Sequence, residues 1–167
     1  YGASLAWYEE AVVAARKAQP GWAGATAYNR GQVLYRVAEV MESRRAQLVK
    51  DVRDSEGLTA ARAEAVVSEA IDRWVWYAGW SDKFTQVLGG LNPVAGPYFD
   101  ISAPEATGVV AVLAPQGSSL LGLVSVVAPV IVSGNTAVVL TSEDRPLPAI
   151  TLAECLATSD VPGGVVN

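Results

Sequence analysis

The sequence predicts an α/β fold in which a helical first half packs on a parallel, doubly wound sheet built by the second half. Three observations carry this. Residues 101–167 hold only Glu105, Glu143, Asp144, Arg145, Glu154 and Asp160 of the chain's 29 charged side chains. The charge-rich front therefore reads as helices with one solvated face, and the charge-poor back as elements covered on several sides. The apolar pattern also changes period near residue 97, from helical spacing to short β-branched runs. Those runs alternate with helical stretches as β-α-β-α-β, which right-handed crossovers turn into a parallel sheet.

A first helix is expected from Ser4 to about Gln19, stopped by Pro20-Gly21. Thr26 is placed to cap a second, which carries Leu34, Val37, Met41 and Leu48 on one side and ends at Gly57. Arg44, Arg45, Lys50, Asp51, Arg53 and Asp54 make its solvated face. Thr59 is placed to cap a third helix reaching about Val87, before Gly89-Gly90. Its apolar line is Val67, Ala70, Ile71, Trp74, Tyr77 and Ala78. Trp76, Trp80 and Phe84 add aromatic surface, for which core and subunit packing is the ordinary use and a ligand cage the other.

Tyr98–Ser102 reads as a short strand. Gly108–Ala114 is a β-branched run of the kind buried on both faces. Pro115-Gln116-Gly117 turns the chain, and Ser118 or Ser119 can cap an apolar helix over Leu120–Val132, ended by Gly134-Asn135. Thr136–Leu140 is a second buried strand, Thr141–Arg145 a polar loop, and Pro146 to about Thr158 a helix. Pro162-Gly163-Gly164 leads into a third strand at Val165-Val166. The expected division is a helical part over 1–91 and a β-α-β-α-β part over 97–167.

Composition narrows the function. The length of 167 residues suits one domain, and 51% hydrophobic with 17% charged residues suits a folded chain. A formal charge of −5 argues against nucleic acid or an anionic membrane as partner. The longest apolar stretch, Leu120–Val132, is too short to span a bilayer and contains Pro129. The absence of His removes a Ser-His-Asp triad, a Cys-His dyad and any His-ligated metal within the chain, so no metal is expected. The single Cys155 excludes an intrachain disulfide and fits a reducing cytoplasm, the expected location. No basic amino-terminal region is present, so no signal peptide is expected.

In a parallel sheet, ligands sit beyond the carboxyl ends of the strands. That points to Pro115–Ser119 and Thr141–Arg145. Neither is a Gly-rich phosphate loop.

The blocks AVVAARKAQPGWAGATAYNRGQVLYRVAEVME, GVVAVLAP, LLGLVSVVAPVIVSGNTAVVL and SEDRPLPAITLAECLATSDVPGGVVN, in this order and spacing, resemble the amino-terminal, cofactor-binding portion of the NAD(P)-dependent aldehyde dehydrogenase superfamily. The resemblance implies helices on a Rossmann-like sheet, an incomplete version of the family fold, with a separate catalytic domain outside this chain. It implies dimers or tetramers. It also implies aldehyde oxidation through a Cys thiohemiacetal, hydride transfer to NAD or NADP, and thioester hydrolysis assisted by a Glu. Matched to the family, Ala114, Pro115, Ser142 and Glu143 are the cofactor-binding candidates, Glu143 either as acceptor for ribose hydroxyls or as a solvated loop carboxylate.

Two departures accompany the match. The family's Pro-Trp-Asn-Phe-Pro reads here as Pro115-Gln116-Gly117-Ser118-Ser119, with Gly117 in place of an oxyanion-stabilising Asn. Losing one such donor costs about 10²–10³ in rate. The family's Lys-Pro-Ser-Glu reads as Thr141-Ser142-Glu143, one residue shorter and without the ribose-binding Lys. In this the chain is similar to the degenerate second module of family-16-like aldehyde dehydrogenases. No catalytic residue is expected within the chain. Cys155 lies in an apolar helix and reads as an inert thiol, and Glu9, Glu10, Glu39 and Glu42 read as helix-surface charges. A strand at Val165-Val166 leaves an edge that needs pairing, so a longer polypeptide or a homo-oligomer is expected.

Overall fold

The computed structural model describes residues 2–167. Five helices come first: α1 (Gly2–Gly24), α2 (Ala27–Ser43), α3 (Arg45–Glu56), α4 (Ala60–Ala78) and α5 (Phe84–Leu88). Thr26 and Thr59 are extended and cap as expected, their hydroxyls accepting the N–H of Asn29 at 3.2 Å and of Arg62 at 3.3 Å. Each such cap contributes about 1 kcal/mol. Gly57 ends α3 at φ 67°, where its lack of a Cβ lets the chain reverse.

Three helix boundaries differ from expectation. Helix α1 continues through Pro20 to Gly24. A proline so close to the end removes one ladder bond, and the turn beyond it is held by Trp22. That side chain is buried, and its indole N–H donates to the Ile131 carbonyl at 2.8 Å. The expected second helix breaks at Arg44 (φ −106°, ψ 16°) into α2 and α3. Arg44 reaches across to Glu154 and to Gln47, and the bend keeps Leu48 and Val52 in the core that Leu34, Val37 and Met41 occupy. The expected third helix ends at Ala78, not near Val87. Buried Ser81 packs there against Gly31 of α2, a close approach that a Cβ would block. Along α4, Val67, Ala70, Ile71, Trp74 and Ala78 are buried, Tyr77 is half-buried and Trp76 is exposed.

Strands β1 (Gly90–Asn92) and β2 (Asp100–Ser102) form an antiparallel ribbon in which Leu91 faces Ile101. The sequence predicts a strand at Tyr98–Ser102 and none at Gly90–Asn92. Both strands are short, and β2 is exposed throughout. Asn92 supports the ribbon with its amide N–H groups, which donate to Asp100 at 3.1 Å and Ser102 at 2.9 Å.

The parallel sheet follows: β3 (Val109–Leu113), α6 (Leu121–Val132), β4 (Thr136–Leu140) and α7 (Leu147–Ala157). Strand β3 pairs with β4 in the register Val109↔Thr136 to Leu113↔Leu140. Residues 165–167 add a third row beside β4: Ala137 N–H donates to the Val165 carbonyl at 2.8 Å, and Asn167 N–H to the Ala137 carbonyl at 3.0 Å. The β-α-β-α-β order is therefore present, with β4 central. Helix α1 covers the face that carries Thr136, whose hydroxyl donates to the Ala15 carbonyl at 3.1 Å. Alternation sends Val139 to the opposite face, against α6 and α7.

Strand β3 is not buried on both faces. Val112 is covered on the α6 side, but Ala111 and Leu113 are exposed on the other. Helix α1 packs over the amino end of β4 and leaves the carboxyl ends of both strands bare on that face.

Candidate functional site at the carboxyl ends of the parallel strands

The two loops singled out by the strand-end rule lie side by side and are bonded to each other. The ladder runs on past β3, with Ala114 N–H donating to the Leu140 carbonyl at 3.0 Å. Ala114 is buried, while Pro115, Gln116 and Gly117 are exposed. From the second loop, the Arg145 guanidinium donates to the Gly117 carbonyl at 2.8 Å and the Ser142 hydroxyl approaches the Gln116 carbonyl at 3.4 Å. The Gln116 amide folds back to the Ala114 carbonyl at 3.0 Å. At the far end of the first loop, the Ser118 hydroxyl accepts the Gly122 N–H at 2.9 Å and so serves the first turn of α6. Ser119 donates through both its N–H and its hydroxyl to the Glu56 carboxylate, each at 2.7 Å.

The four cofactor-binding candidates thus occupy different environments. Ser142 is 5% exposed and its hydroxyl serves the neighbouring loop. Glu143 is exposed and forms no ion pair among the described residues. Ala114 sits beneath the loop and Pro115 lies at its surface. Thr141, where the family has Lys, is half-buried at the rim of an apolar cavity of about 270 Å³. Val139, Leu152, Leu156 and Val166 form part of its wall.

Two residues that the sequence did not single out hold the two ends of α6: Arg30 its carboxyl end, at the amino ends of the strands, and Glu56 its amino end, beside the candidate site. Arg30 is 6% exposed and caps carbonyls from two helices, with Nε on Val132 at 3.0 Å and Nη1 on Ala23 at 3.3 Å. Desolvation lowers its pKa. An arginine in an amphipathic helix looks like a surface charge until the helix ends it meets are known. Glu56 reads likewise as a solvated charge beside Gly57.

Cys155 is fully buried in α7, and burial pushes its thiol pKa up, opposed by the Arg44 guanidinium 4.0 Å away. Enclosure and a disfavoured thiolate both weaken a thiol as a nucleophile. Glu39 and Glu42 lie on the surface, Glu39 3.4 Å from Arg36 and Glu42 2.6 Å from Arg45. Arg45 holds the Glu42 carboxyl below the usual range through a direct hydrogen bond. Glu9 and Glu10 are exposed. Among the described residues no group of three or more His, Cys, Asp or Glu could hold a metal ion, and no helix is long and apolar enough to cross a membrane.

Comparison with known proteins agrees with this architecture. The family model described as the aldehyde dehydrogenase family matches residues 2–167. The Bacillus subtilis protein DhaS is 32% identical over 170 residues, covering 100% of this chain and 34% of its own length. A crystal structure of a NAD-dependent benzaldehyde dehydrogenase from Corynebacterium glutamicum superposes with a TM-score of 0.87 at 28% identity, over 95% of this chain and 34% of that one. PnpE from Pseudomonas sp. WBC-3, in complex with nicotinamide adenine dinucleotide, gives 0.89 at 27% identity over 94% of this chain and 32% of that one. The chain therefore spans about a third of the length of its relatives. With β3-α6-β4-α7 and the amino-terminal helices in the same arrangement, this chain belongs to the aldehyde dehydrogenase family and corresponds to its amino-terminal, Rossmann-like portion.

Proposed function

We propose that this chain is the cofactor-binding part of an oxidoreductase that oxidises an aldehyde to a carboxylic acid with NAD or NADP. The observation that carries the reading is the joined pair of loops at the carboxyl ends of β3 and β4, the second of which carries Glu143, an exposed carboxylate with no ion pair among the described residues, with an apolar cavity of about 270 Å³ reached at Thr141. That donor set suits a dinucleotide: a carboxylate accepts from a ribose diol, and the apolar rim at Thr141 suits a flat base. A bound nicotinamide cofactor supplies the hydride acceptor. The residues of this chain bind and orient it: Glu143 takes the ribose hydroxyls, Ala114 and Pro115 shape the floor, and Ser142 fixes the loop that carries Glu143. The nucleophile and the base that hydrolyses the thioester are contributed from outside these 167 residues. Titration calorimetry of NAD+ and of NADP+ into the full-length protein tests the reading. Saturable heat that Glu143→Ala weakens at least tenfold supports it; no heat at millimolar cofactor refutes it.

A second reading has its own support. The ribbon β1–β2 and its flanks expose Leu88, Leu91, Tyr98, Phe99 and Ile101, an apolar surface of the kind that partners cover. Together with Gly117 and Thr141 in place of Asn and Lys, this suits a catalytically inactive module that serves homo-oligomerisation or the regulation of an active partner, as in the degenerate modules of family-16-like proteins. Aldehyde turnover at ordinary family rates by the full-length protein contradicts it. The buried lone thiol is compatible with a cytoplasmic setting in either case.

A further inference from the structure

We propose that Glu56 is a positioning residue for the loop 115–119, fastening the cofactor-facing end of the sheet to the helical half of the molecule. Glu56 is the last residue of α3, and its carboxylate accepts both the N–H and the hydroxyl of Ser119 at 2.7 Å. Ser119 is 3% exposed and lies 63 positions away in sequence.

Several features separate this contact from an ordinary surface hydrogen bond. A carboxylate in the last turn of a helix opposes the helix dipole, so the position is unfavourable unless the charge is used elsewhere. Glu56 forms no ion pair among the described residues, and both of its side-chain hydrogen bonds go to Ser119. Charge-assisted bonds of this length are about twice as strong as neutral ones. Among the described residues, the loop's other long-range side-chain bonds come from the β4–α7 loop, with Arg145 donating to the Gly117 carbonyl and Ser142 to the Gln116 carbonyl, beside the local bonds of Gln116 and Ser118. Gly117 sits midway and has no side chain with which to anchor itself. Glu56 therefore sets where α6 begins relative to the end of β3, and with it where the loop backbone lies. The fifth position of the family pattern quoted above is proline, which has no N–H to donate. The clamp depends on the Ser119 found in this chain.

The consequence for cofactor rests on the proposed dinucleotide reading, whereas the clamp itself does not. Both are tested in the full-length protein by hydrogen exchange over residues 115–122 and by NAD+ calorimetry on the same samples. Glu56→Ala is expected to speed exchange of the Ser119 amide about tenfold or more. Exchange over α4 stays at the wild-type rate, which separates the effect from general unfolding. Glu56→Gln, which keeps an acceptor oxygen without the charge, is expected to restore part of the protection, and Ser119→Ala to keep the N–H bond and lose only the hydroxyl one. NAD+ affinity is expected to fall in the same order as the loop loosens. A loosened loop in a protein that binds no NAD+ upholds the clamp and refutes the cofactor reading. Wild-type exchange at 115–122 in both Glu56 variants overturns the clamp, whatever NAD+ does.

Discussion

Leu113 and Leu140 are register partners at the carboxyl ends of β3 and β4, and they stand 78% and 65% exposed on the sheet face that α1 covers only at its other end. Two adjacent leucines on a bare sheet face, next to the loops that carry the candidate site, form an exposed apolar patch.

For the 167-residue chain alone, replacing both leucines by Ser is expected to change unfolding free energy by less than about 0.5 kcal/mol, because neither side chain is buried. The same pair of substitutions in the full-length protein is expected to cost about 2–4 kcal/mol if the patch is covered there. Urea denaturation of both proteins reads the difference.

Arg30 and Trp22 knit the end of α6 to the amino-terminal helices. Arg30→Met is expected to destabilise by about 2–3 kcal/mol, since it leaves the buried bond to the Val132 carbonyl and the part-buried bond to the Ala23 carbonyl unmade. Arg30→Lys restores little, because an ammonium cannot span both helix ends. Trp22→Phe removes the bond to Ile131 at a cost of about 1–2 kcal/mol. Chemical denaturation midpoints at constant slope check all three.

The thiol of Cys155 is raised above its ordinary value by burial. Its neutral form is favoured in the folded state, so this contribution to stability is intact below the unfolded thiol pKa, near 9.0, and is lost as pH rises through the higher folded value. Cys155→Ala is expected to flatten the fall in stability above pH 9, after allowance for its cavity cost. Native Cys155 is also expected to react with a thiol reagent at pH 8 far more slowly than the urea-unfolded chain.

Leu91 and Ile101 face each other on the exposed ribbon β1–β2. Introducing Lys at both is expected to leave the fold intact and to dissociate any oligomer built on this ribbon, because like charges directly opposite repel and the apolar surface is gone. Sedimentation velocity on wild type and variant measures the outcome.

Local chemistry made part of this molecule legible. Thr26, Thr59 and Gly57 cap helices in structure as in sequence, because a cap is decided by the few residues around it. The runs Val109–Leu113 and Thr136–Leu140 form strands because β-branched residues between turn signals have few alternatives. What could not be read depends on contacts distant in sequence. Beyond Pro20, α1 is held by Trp22, which is buried in the core and donates its N–H to Ile131, 109 positions away. The three-residue strand at Gly90–Asn92 has no pattern of its own and exists through pairing with Asp100–Ser102. The exposure of Leu113 depends on how far α1 reaches across the sheet. At the candidate site, the strand-end rule located both loops, but the bonds that join them, from Arg145 and Ser142, and the bond by which Glu56 ties the first loop to α3 required the fold.

The most direct test of the central claim is a hydrogen-exchange map of the full-length protein with and without saturating NAD+. The account expects protection over two separated stretches, residues 114–119 and 141–145, with Glu143→Ala abolishing it at the same cofactor concentration. No protection of either stretch at millimolar NAD+ and NADP+ would contradict it.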